Sequence, residues 1–233
     1  MIERSGFLSN ERAAKERSLL KNVYMWMTAG LALTGVVSFW MLSSPQRIVY
    51  LYQSKLIWVF IIAEFLLVFF LSARIMNMSP RSAVLSFAAY SVLNGITLSI
   101  IFLLYTRASI TSTLFITAGT FAVMSLYAVT TKRDLSRIGT YLFMGLIGII
   151  IASVANIFLK SPLLYWVVSY VGVLVFCGLT AYDTQHILRM SREYSGSIAE
   201  EDYIRFSILG ALKLYLDFIN MFIFFLRIFG RRD

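Results

Sequence analysis

Cysteine, histidine, proline and charge are all scarce in this chain of 233 residues. The single cysteine, Cys177, excludes an intramolecular disulfide framework and any thiolate metal cluster. The single histidine, His186, excludes every site that needs two or three imidazoles, HExxH hydrolases included. Charged residues make up 14 %, where soluble domains carry about 25 %. The three prolines, Pro45, Pro80 and Pro162, avoid the apolar runs altogether.

What fills the chain instead is apolar: 59 % of residues, with a mean hydropathy of +0.76. A soluble domain of this length cannot hide that much apolar surface, so an integral membrane protein is expected. Lys and Arg outnumber Asp and Glu by 21 to 12, a net charge of +9. These cations sit in short clusters between apolar runs, with no basic stripe. That distribution suits anionic lipid headgroups, so the expected partner is the bilayer and not nucleic acid.

Seven apolar runs reach the about 20 residues needed to cross a hydrocarbon core of about 30 Å. They are 23–42, 56–73, 83–105, 110–130, 139–159, 163–182 and 203–226. Backbone polar groups find no water in lipid, so each run should be an α-helix. The expected architecture is an all-α membrane protein of seven transmembrane helices: a polar tail over 1–22, one membrane domain over 23–230, and a short tail at 231–233. The segment 183–202 reads as a solvated loop. No A-x-A cleavage site follows the first span, which is expected to remain as an uncleaved helix.

Charge asymmetry sets the expected orientation. With the N-terminus inside, the inner segments carry five cations of the tail, Arg74, Arg81, Lys132, Arg133, Arg137, Arg189, Arg192 and Arg205. The outer ones carry only Arg47, Lys55, Arg107 and Lys160. A seventh crossing leaves Arg231 and Arg232 outside, unless the last segment is re-entrant. Small residues at Gly145, Gly148, Ala152, Gly178 and Ala181 are read as sites of close helix packing.

A charge within a span costs at least about 2.5–3.5 kcal/mol and is a functional candidate by default. Glu64 lies in the second span, and Lys213 and Asp217 in the seventh. Arg74 and Asp183 stand at the inner ends of the second and sixth, and Asn94, Asn156 and Asn220 are polar within the bilayer. Gly210, Lys213, Asp217 and Asn220 share one face of the seventh helix. This stripe either lines a polar cavity or holds a Lys213–Asp217 ion pair that only fixes packing.

Counting residues inward places Asp183 and Asp217 at depths that a helix offset would match, with Arg74 at a similar level. Two carboxylates sharing a low-dielectric site cannot both ionise easily, so a shared proton would make them a titrating switch. An ionised pair would suit a hard divalent cation. His186 shares the face of Asp183 and is a candidate modulator, as are Glu64, Lys213 and Asn220.

The segments GLTAYDTQ (178–185), SILGALKLYLDFINMFIFFLRIFG (207–230), SLYAVTTKRDLSRIG (125–139) and LIGIIIASVANIFL (146–159) make the chain resemble the transmembrane Bax-inhibitor-motif family. The likeness is to its bacterial members. The resemblance implies seven helices with the last at the centre of the bundle. It also implies a pH-sensitive calcium leak in a bacterial inner membrane, with Asp183 and Asp217 as ion path and sensor. Arg74 is similar to the arginine that latches Asp183. No resident cofactor or metal and no enzymatic activity are expected, and calcium enters as the permeant ion. Lys213 departs from the family pattern, which holds a small polar residue four before the second aspartate.

Two other classes compete. An intramembrane aspartyl protease would pair YD with GxGD and a PAL segment. Tyr182-Asp183 supplies only the first of these. The remaining alternative is a non-conducting regulatory or chaperone-like membrane protein.

Overall fold

In the computed structural model of the chain, the described backbone covers residues 2–194 and 200–231, and the described side chains 18–192 and 200–231. Every element among them is helical: α1 (Ile2–Leu42), α2 (Pro45–Gln53), α3 (Leu56–Arg74), a 3-10 turn (Ile75–Asn77), α4 (Pro80–Leu104), α5 (Arg107–Thr130), α6 (Ser136–Leu159), α7 (Pro162–Tyr194) and α8 (Glu200–Phe229). Seven of these helices are long and apolar enough to cross a membrane, as many as the hydropathy pattern predicts.

The punctuation follows local chemistry. Pro45, Pro80 and Pro162 are each the first residue of a helix, where the missing N–H has no intrahelical partner to lose. Thr106 caps α5 by accepting from the Ser109 amide at 3.2 Å. Asn156, noted above as polar within the bilayer, closes α6: its side-chain oxygen accepts from the Ser161 amide at 2.9 Å.

The connections hold more helix than the hydropathy pattern marks. The connection between the first two spans contains α2, a short helix. More consequentially, of the segment expected as a solvated loop, 183–194 continue α7 and 200–202 open α8, while 195–199 lie outside the described residues. Thr180, Asp183, Thr184, Ile187, Leu188 and Ser191 are all buried at helical spacing, while Arg192 points outward. Averaged hydropathy merges these two faces and misses an amphipathic extension.

The chain divides into two compact units, one of Met1–Leu104 with Leu188–Tyr215, the other of Tyr105–Ile187 with Leu216–Asp233. In the first, α1 hydroxyls stitch α4: Ser38 donates to the Gly95 carbonyl at 2.7 Å and Thr34 to the Ser91 carbonyl at 2.9 Å. The Tyr215 hydroxyl lies 2.7 Å from that of Thr34, and its ring meets Phe87 and Tyr90 edge-on. In the second unit, Ile149, Val168, Val175, Phe176, Leu179, Met221, Phe224 and Phe225 form one apolar core.

The small residues divide by role. A Cβ on Gly145 would stand 3.0 Å from Val175, and Gly178 packs against Leu142, so both are sites of close approach. Gly148 has nothing within 4 Å of that position and contributes no contact. Burial ranks the spans: 72 % of the α8 window is buried, against 11 % for α3 and 6 % for α6. The last helix thus carries the burial expected of a central one, while α3 and α6 present Phe65, Leu66, Phe69, Tyr141, Ile151 and Phe158 to lipid.

Candidate functional site

Asp183 on α7 and Asp217 on α8 are both buried, with 8 % and 3 % of their surface exposed. They belong to the same unit. Consecutive spans joined by the few residues 195–199 must run antiparallel, and the contact of Phe176 with Phe224 sets their register, the ring centroids lying 5.9 Å apart. Asp183 stands seven residues after Phe176, and Asp217 seven residues before Phe224. On antiparallel helices both steps lead toward the same end, each by about 10.5 Å. Seven residues are also close to two full turns, so each aspartate projects from nearly the same side of its helix as the neighbouring phenylalanine. Each aspartate thus stands the same number of residues, in the same direction, from this ring contact.

Around Asp183 the helix face is built by specific contacts. The Tyr182 ring stacks on His186 with centroids 5.9 Å apart and planes 9° from parallel. Gly139 on α6 lets that tyrosine approach, since a Cβ there would collide with its ring. Gln185 reaches to the α5–α6 connection: its oxygen accepts from the Leu135 amide at 2.8 Å and its nitrogen donates to the Arg133 carbonyl at 2.9 Å. Sequence reasoning passed over Gln185, although an amide in the TAYDTQ motif beside a turn of uncapped backbone groups is a recognisable signal.

The other candidates fall into different settings. Lys213 is half-buried on α8, one turn before Asp217. Asn220 spends its amide on its own helix, donating to the Leu216 carbonyl at 2.8 Å. Arg74 ends α3 exposed, where its charge complements the helix C-terminus. It forms no ion pair with the described residues. Arg205 donates to the Met78 carbonyl at 2.6 Å and pairs with Asp202 and Glu201 at 2.6 and 2.9 Å. Glu64 accepts hydrogen bonds from Asn94, and from the Thr97 hydroxyl at 3.0 Å. Thr97 gave no sequence signal.

Among the described residues no group of three or more His, Cys, Asp or Glu could hold a metal ion. Asp183 and Asp217 are buried carboxylates of one unit.

Residues 16–233 match the family described as inhibitor of apoptosis-promoting Bax1. The chain belongs to the Bax inhibitor family. It is 47 % identical over 230 residues to the inner membrane protein YbhL of Escherichia coli, covering 98 % of this chain and 97 % of that protein. A protein of Borreliella burgdorferi is 41 % identical over 225 residues, covering 94 % of this chain and 96 % of its own. One from Rickettsia prowazekii is 39 % identical over 218 residues, covering 93 % and 90 %. This Bax inhibitor family member is an integral, multi-pass, all-α membrane protein.

Proposed function

We propose that this chain is a pH-sensitive cation leak protein of the bacterial inner membrane, with calcium as the ion and Asp183 and Asp217 as path and sensor. The observation that carries the reading is the shared register: both aspartates are buried, in one unit, seven residues along from a contacting pair of phenylalanines. At that depth two carboxylates hold one proton between them, and losing it leaves two negative charges for a divalent ion. Arg74 is the counter-charge that would latch Asp183 in the closed state. The N-terminus lies in the cytoplasm, following the excess of inner cations. The chain acts without a resident cofactor and without catalysing a reaction.

Purified protein in calcium-loaded liposomes tests this. Flux should appear with wild type, change across mildly acidic pH, and vanish in Asp217→Ala. Either aspartate changed to asparagine should remove the pH dependence. Absence of flux from well-folded wild type would leave a non-conducting regulatory role, and unchanged pH dependence in both variants would overturn the sensor.

A further inference from the structure

Glu64 lies eight residues into α3 and ten before its end, about 12 and 15 Å from the two termini. It therefore sits near the middle of a hydrocarbon core of about 30 Å. Both carboxylate oxygens take donors from α4, the Asn94 amide on one and the Thr97 hydroxyl on the other. These donors are neutral. No Lys, Arg or His among the described residues pairs with Glu64. Arg74, on the same helix, is a further ten residues along. Tyr90 on α4 and Tyr215 on α8 are the titratable groups near enough to feel the carboxylate, and neither carries positive charge. A carboxylate at this depth without a counter-cation calls for a positive charge from solution.

The partners fit one such charge in particular. Asn94 is only 6 % exposed, and its side-chain oxygen has no hydrogen-bond partner while its nitrogen donates to Glu64. Half a turn of the amide would exchange the two atoms and make the oxygen an acceptor. Thr97 is similarly two-sided, because its hydroxyl also lies 3.0 Å from the Asn94 backbone carbonyl. Turned toward that carbonyl, the hydroxyl oxygen is left to accept from Glu64. Both neighbours thus serve the ionised acid as donors and the neutral acid as acceptors. We propose that Glu64, Asn94 and Thr97 form an intramembrane proton-binding site, in which Glu64 takes up and releases a proton while its two partners reverse their hydrogen bonds. The site requires neither Asp183 nor Asp217.

Dicyclohexylcarbodiimide, an apolar reagent selective for protonated carboxyl groups, is a direct probe. The acid proton passes to a carbodiimide nitrogen as the carboxyl oxygen bonds to the central carbon, so acid and reagent add without a leaving group. Glu64 is half-buried beside the exposed Phe65 and Leu66, so the reagent can reach it from the bilayer. The full chain in lipid nanodiscs is treated over a range of pH and the modified peptides are mapped by mass spectrometry. Labelling is expected at Glu64, falling about tenfold per pH unit above a midpoint, as the protonated fraction does. Thr97→Val removes a donor to the ionised form, so its midpoint should move to higher pH. Asp183→Asn should leave Glu64 labelling unchanged. In infrared difference spectra, Glu64→Gln should lose a pH-dependent carboxylic C=O band. Labelling that ignores pH, no labelling of Glu64, or a band that survives unaltered in Glu64→Gln would each overturn the proposal.

Discussion

The ring of Phe224 lies directly against Gly172, with three ring carbons 2.7 Å from where a Cβ would stand. Phe224 is also the residue that registers α8 against α7 through Phe176. Gly172→Ala should therefore force this ring aside and destabilise the protein by about 1–3 kcal/mol. Gly148→Ala, with open space around it, should be neutral or stabilising by about 0.5–1 kcal/mol through helix propensity. Thermal unfolding in detergent compares the pair. Equal losses would mean that helix approach at Gly172 is not a packing constraint.

Gln185 is expected to hold the α5–α6 connection, because its amide satisfies one donor and one acceptor of that turn. Gln185→Ala removes both bonds, worth about 0.5–1.5 kcal/mol each. Amide hydrogen exchange should rise at residues 133–135 and remain unchanged along α4. A protected turn in the variant would show that the connection is held by other means.

Lys213 should shift the pH response of any flux. Lys213 is placed one helical turn before Asp217, and a cation within about 4–6 Å favours the ionised carboxylate. In Lys213→Ser the midpoint should therefore move to higher pH, and calcium flux at the plateau should rise as a repelling charge is removed. An unmoved midpoint would mean that the long side chain carries its charge away from Asp217.

The C-terminus should lie on the same side of the membrane as residues 105–107. Beyond α8, the Arg231 carbonyl accepts from the Thr106 amide at 3.1 Å, and the Arg231 amide donates to the Ser109 hydroxyl at 2.9 Å. A continuous α8 from Glu200 to Phe229 ending against the start of α5 favours full crossing over re-entry. Reporter fusions after Asp233 and in the α4–α5 connection should report one compartment. The wider expectation that this compartment is external rests on the charge asymmetry, and Arg232 and Asp233 fall outside the described residues.

Seven spans can be read from the chain because the requirement that sets them is local. A helix must be long enough to cross hydrocarbon and apolar enough to stay there, and neither property depends on which neighbour it meets. The three prolines at helix starts are local in the same way. Asp183 and Asp217 were also visible, because a buried charge stands out against apolar surroundings wherever it lies.

Facing and register are different, because they depend on contacts between residues far apart in the chain. The α7 extension to Tyr194 exists because one face of an otherwise polar segment finds a partner to bury it, which no average along the sequence can register. The register of α8 on α7 follows from where Phe224 seats, and Gly172 leaves the room for that ring. Glu64 looked like an isolated charge in its span. Its partners lie 30 and 33 residues further on, and only the packing of α3 against α4 brings their donors to its oxygens.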